Sequence, residues 1–143
     1  MTAQPSFADY FGPRAQLYRE ARPAYPLAFF HYLARIAPST GKAWDCATGT
    51  GQAATALASR FRAVLGTDAS DAMIAAATPH PRVRYAVTKL DTRLPDRSVG
   101  VVSVAQALHW LELEAFIREA RRVLVPGGLL AAWCYSICRT SPE

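Results

Sequence analysis

Asp45-Cys46-Ala47-Thr48-Gly49-Thr50-Gly51-Gln52 follows a brief apolar run, Ala43 to Cys46, and precedes Ala54, Leu57, Ala58 and Phe61 at helical intervals. The order is strand, glycine turn, helix. Two glycines let backbone approach a ligand closely and turn sharply, and a helix amino terminus offers N–H groups to an anionic end. The stretch Gly49-Thr50-Gly51-Gln52-Ala53-Ala54 also has the G-x-G-x-x-A form of a dinucleotide loop. Three readings therefore stand together at this point: a loop that receives a ligand's anionic end, an NAD or FAD enzyme, or a plain tight turn.

Working outward, the same plan repeats. Upstream, Pro26 suits a first helical turn, and Leu27, Phe30, Leu33, Ala34 and Ala37 follow at helical spacing until Pro38. Downstream, Ala63 to Thr67 is strand-like, Ser70 can cap, and Met73, Ile74 and Ala77 share a helical face ended by Pro79. Val83 to Val87 is a third strand, and Ser98 to Ala105 is a fourth, whose valines suit burial on both faces. Leu113, Phe116, Ile117, Ala120, Val123 and Leu124 predict a helix that Pro126, Gly127 and Gly128 end, before a fifth strand from Leu129 to Tyr135. Alternation of this kind predicts an α/β fold, a Rossmann-like doubly wound and mainly parallel sheet with helices on both faces. One domain is expected, with a front helical segment at 1–40 and a core at 41–143. Its ligand belongs at the carboxyl ends of the strands, where strand order switches.

Bulk properties narrow the function. The 143 residues, 51% hydrophobic and 19% charged, suit one domain with a core and exclude disorder on composition. The weakly polar run from Gly127 to Cys138 is too short to span a bilayer, and the amino-terminal stretch has no apolar signal core, so a cytoplasmic protein is expected. Cys46, Cys134 and Cys138 form neither a CxxC pair nor an even set, which suggests no metal and no disulfide framework. The net charge of +5 comes from scattered Lys and Arg without interleaved aromatics, a solvated face rather than a nucleic-acid groove.

Asp68, 17 residues after Gly51 and at the end of the second strand, is placed to accept hydrogen bonds from both hydroxyls of a ribose, which favours an adenosine-containing ligand. A helix-start Asp beside Ser70 is the plainer alternative.

The glycine loop, then Asp68-Ala69-Ser70-Asp71-Ala72-Met73-Ile74, then Leu94-Pro95-Asp96-Arg97-Ser98-Val99, and finally Arg122-Val123-Leu124-Val125-Pro126-Gly127-Gly128 resemble the successive motifs of class I S-adenosylmethionine-dependent methyltransferases. Tyr18-Arg19-Glu20-Ala21-Arg22-Pro23-Ala24-Tyr25-Pro26 and Ala105-Gln106-Ala107-Leu108-His109-Trp110 are similar to the methyltransferase type 11 group and its trans-aconitate methyltransferase-like branch. The resemblance covers nearly the whole chain. It implies S-adenosyl-L-methionine as cofactor and a small-molecule acceptor. Asp45 and the backbone from Ala47 through Gly49 to Gly51 would hold the methionine part, Asp68 the ribose, and Ala69 with Met73 the adenine surroundings. Gln106 would join the cofactor site, and Tyr18 and Arg22 would close over it, unless they only pack on the surface.

Two departures from the family pattern matter. Ala47 stands where a glycine is commonest, acceptable at negative φ. Leu90 occupies the place of an acidic residue that holds the adenine amino group, so either the adjacent Asp91 substitutes or backbone alone binds adenine. His109 is the candidate general base or substrate hydrogen-bonding group, with packing or turn capping as its alternative. Trp110 could meet the sulfonium through its ring face, but core packing beneath the fourth helix is the favoured expectation. Relatives continue beyond Tyr135 into further strands, so the chain is expected to lack the final strands of the fold and to self-associate through its fifth strand. A non-catalytic cofactor-binding or oligomerising fragment and an NAD-dependent oxidoreductase are the competing functions.

Overall fold

The computed structural model describes residues 24–134. Tyr18, Arg22 and the strand end expected at Tyr135 fall outside them. Pro26 stands one position before the first helix, α1 (Leu27–Ile36), whose Phe30 and Leu33 are buried. Strand β1 (Lys42–Cys46) feeds the glycine loop and α2 (Gln52–Leu57). The helix stops earlier than its periodicity predicts, and Phe61 reaches the core from the turn beyond it. Next come β2 (Ala63–Asp68), α3 (Asp71–Ala75) and β3 (Val83–Val87). Ser70 caps α3 as expected, its hydroxyl accepting the Met73 N–H at 3.3 Å.

The remaining elements are β4 (Val99–Ala105), a short 3-10 turn at Leu108–Trp110, α4 (Leu113–Val123) and β5 (Leu124–Trp133). Here the expectation needs correction. Pro126, Gly127 and Gly128 do not separate helix from strand, because β5 starts directly after α4 and contains them. The ladder explains how: Val99 opposes Leu124 but Val101 opposes Leu129, so the Pro-Gly-Gly segment bulges out of register. Proline, which lacks a ladder N–H, is tolerated at such a bulge.

All strand pairs are parallel, in the order β3-β2-β1-β4-β5. The order reverses between β1 and β4, the switch point of a doubly wound sheet. Side-chain alternation sorts the core into two layers. On one face Ala43, Val64 and Val101 meet α1 and α2 through Phe30, Leu33 and Leu57. On the other Trp44, Cys46, Val102 and Val104 meet Phe116, Ala120 and Val123 of α4. Every residue of β4 is buried, as its valines predict.

Candidate functional site

The carboxyl ends of β1, β2 and β4 converge beside the switch point, and the glycine loop leaves from the first of them. Three loop residues take the left-handed region, Ala47 at φ 53°, Gly49 at 57° and Gly51 at 91°. Ala47 thus departs from the negative φ expected of it. The conformation is unfavourable for a residue with a Cβ and persists only where surroundings enforce it. The enforcing bonds are visible: the Thr48 N–H donates to the Thr67 carbonyl at 2.8 Å, and Gly51 N–H to the Thr48 carbonyl at 3.0 Å.

Asp45 is the loop's anchor. It is 1% exposed, and its two carboxylate oxygens accept hydroxyls from Thr48 at 2.6 Å and from Ser103 of β4 at 2.7 Å. The residue expected to hold the methionine part therefore ties the loop to the neighbouring strand across the switch point. Sequence reasoning missed Thr48 and Ser103, although a serine inside the valine-rich run of β4 was a signal. Tyr85 of β3 was missed as well. Its hydroxyl donates to the Thr78 carbonyl at 2.7 Å, and a Cβ at Gly51 would collide with it. Burial, with Asp45 nearby, pushes the Tyr85 phenol up to about 12.

Asp68 ends β2, 3% exposed. One oxygen accepts the Gly49 N–H at 2.9 Å and the other the Ser70 N–H at 2.9 Å, so the carboxylate joins the glycine loop to the start of α3. A carboxylate has about four lone-pair sites, so the group as a whole keeps capacity for a further donor. Burial raises its pKa above the ordinary carboxylate value, and the N–H groups of Ser70, Gly49 and Ala69 oppose that rise. Cys46, fully buried on the adjoining strand, has its thiol pushed far up by burial and by Asp45 and Asp68. It is a packing residue, its thiol kept protonated by burial and by the two neighbouring carboxylates.

Around this centre Met73 is buried and Ala69 half-buried, while Leu90 packs against the α4 layer. Asp91 is exposed, 3.8 Å from Arg93. Gln106 follows β4 at φ 62°, its N–H donating to the Trp133 carbonyl at 2.8 Å. The side-chain Nε2 of Gln106 and the Oε1 of Gln52 are buried without a hydrogen-bond partner among the described residues. The other end of the Gln52 amide is engaged, its Nε2 donating to Thr50 Oγ1 at 2.7 Å. His109 and Trp110 lie in the turn after β4, ring centroids 5.0 Å apart, and Trp110 is 51% exposed. Trp110 is therefore not core, contrary to expectation, because the 3-10 turn carries it outward before α4 begins. Among the described residues no three His, Cys, Asp or Glu side chains group as a metal site requires, and no helix is long and apolar enough to cross a membrane.

Comparison with known proteins agrees with this geometry. Residues 44–132 match the methyltransferase domain family. A Dictyostelium discoideum protein assigned as a methyltransferase is 34% identical over 137 residues, covering 93% of this chain and 51% of that protein. The trans-aconitate 2-methyltransferase of Variovorax paradoxus is 34% identical over 116 residues, 77% of this chain and 43% of the enzyme. Among solved structures, an assigned type II methyltransferase from Anaeromyxobacter dehalogenans superposes with a TM-score of 0.79 at 47% identity, covering 85% of this chain and 52% of that one. The chain spans about half the length of the curated relatives it matches. With five parallel strands in this order, a glycine loop after β1 and a buried carboxylate after β2, the chain belongs to the class I S-adenosylmethionine-dependent methyltransferases.

Proposed function

We propose that the chain binds S-adenosyl-L-methionine across the carboxyl ends of β1, β2 and β4 and takes part in methylating a small-molecule acceptor. The observation that carries this reading is Asp68, a buried carboxylate shared by the glycine loop and the start of α3, with capacity for ribose hydroxyls. Two side-chain amides, each with one buried atom free among the described residues, extend it. A methionine end presents a carboxylate and an ammonium, and the buried Gln106 Nε2 donor and Gln52 Oε1 acceptor are complementary to that pair. Met73, Ala69 and Leu90 supply apolar surroundings for adenine, with Asp91 beside them to accept from its amino group. The backbone of Ala47, Gly49 and Gly51 lines the approach, Asp45 holds the loop in shape, and Tyr18 and Arg22 close over the cofactor.

When bound, the cofactor supplies an activated methyl group, so the protein's task is alignment and exclusion of water rather than strong base catalysis. His109, exposed at the mouth after β4, accepts a proton from the acceptor or hydrogen-bonds it. A small-molecule acceptor accords with the trans-aconitate enzyme among the relatives.

The test is calorimetric titration with S-adenosylhomocysteine, with NAD in parallel. Saturable binding of the first alone is expected, weakened at least about tenfold by Asp68→Ala, as for loss of a hydrogen-bonded charged partner. Binding of NAD in its place, or no binding by a folded sample, overturns the reading.

A further inference from the structure

The loop 88–98 between β3 and β4 is hung from two places. At its start the Thr88 N–H donates to the carbonyl of Asp68 at 2.9 Å. At its end the Arg97 and Ser98 N–H groups donate to the carbonyls of Arg122 and Val123 at 2.9 and 2.7 Å. Between these, the Arg122 guanidinium of α4 spends every donor of its fork on the loop or on the residue that grips it. Nη1 donates to the Leu94 carbonyl and to Asp96 Oδ1, both at 2.7 Å. Nη2 donates to Glu119 Oε1 at 2.6 Å and reaches Thr92 Oγ1 at 3.4 Å, while Nε donates to Glu119 Oε2 at 3.0 Å. The Thr92 hydroxyl donates to Glu119 Oε1 at 2.6 Å and accepts the Leu94 N–H at 3.1 Å.

Such saturation has a conformational counterpart. Arg93 and Arg97 sit in the left-handed region at φ 53° and 51°. Residues other than glycine stay there when their surroundings over-determine the backbone, and clamped functional loops are where such residues gather. The stretch left between the Asp68 anchor and the Arg122 grip is 89–91, which contains Leu90 and Asp91.

We infer that Arg122 is a positioning residue for adenine recognition: by gripping Thr92, Leu94 and Asp96 it sets the arc 89–91 against the adenine edge. The inference rests on the cofactor site proposed above. Lysine cannot replace the function, since one ammonium cannot hold a fork of acceptors in one plane. Thr92→Val is the milder probe, removing the hydroxyl that links Leu94 to Glu119 while preserving shape.

The experiment measures Kd for S-adenosylhomocysteine and for its analogue bearing an oxo group in place of the adenine 6-amino group, in the wild type and in Arg122→Ala, Arg122→Lys and Thr92→Val, with Tm for each. The wild type is expected to prefer the amino compound, and every variant to lose most of that preference, with affinity for the amino compound down about tenfold, within the range of coupling carried by packed networks. Faster amide exchange across 89–91 in the variants accompanies the loss. A purely structural Arg122 lowers Tm and leaves the preference intact, and that result, in any folded variant, overturns the inference. So does a wild type that binds both compounds equally. A wild type that binds neither defeats the underlying cofactor reading instead, so the two failures are told apart.

Discussion

Asp68 serves two masters with one carboxylate: it braces the glycine loop through the Gly49 N–H and the α3 start through the Ser70 N–H, and in the proposed site it also receives a ribose. Ribose hydroxyls bond an ionised carboxylate more strongly than a protonated one, and burial has raised this group's pKa. The sign follows directly. A raised pKa means protonation sets in at higher pH than for an ordinary aspartate, so S-adenosylhomocysteine affinity should begin to fall on acidification above the unperturbed value of 3.8. Calorimetry between pH 7 and pH 4 checks this, and the decline should be absent from the residual binding of Asp68→Ala. A flat profile in the wild type would mean the ionised form is not what binds. Asp68 was legible in the sequence because its position depends on local spacing after one strand. Asp45 was legible as the residue leading into the glycine loop, but its bond to Ser103 was not, because Ser103 lies 58 residues away and is brought near only by β1–β4 pairing. The left-handed Ala47 was illegible for a similar reason: the Thr67 carbonyl that fixes the loop belongs to another strand.

Helix α4 holds the sheet's second face and grips the loop 88–98, so its two sides have different consequences. Phe116 is fully buried and its ring lies 5.8 Å from Trp44, whereas Leu113 is 54% exposed. Phe116→Ala should destabilise the protein by about 3–5 kcal/mol, and Leu113→Ala should fall within about 0.5 kcal/mol of wild type. Urea unfolding of both variants checks the contrast. Acid conditions reach the same helix from its polar side. Hydrogen bonds from Arg122 hold the Glu119 pKa below its ordinary value of 4.5, so its contribution is present above that pH and lost as pH falls through the depressed value. The face of α4 was readable from its 3.6-residue period, but its end was not. Pro126-Gly127-Gly128 has the composition of a turn, and only the ladder with β4 makes it a bulge within a strand.

At the scale of the molecule, the parallel sheet and its switch point followed from alternating strands and helices, since right-handed crossovers leave few arrangements. Among the described residues β5 has one partner strand, β4, and Leu130 on it is 43% exposed. The two cysteines of the described region divide the molecule in a further way. Cys134 is exposed and Cys46 is sealed between the layers next to both buried aspartates. A thiol reagent would thus modify Cys134 at once and Cys46 only during an excursion that parts β1 from α4. Its rate of labelling is a clock for that opening, wound into the centre of the sheet, and any ligand that steadies the carboxyl ends of the strands would slow it.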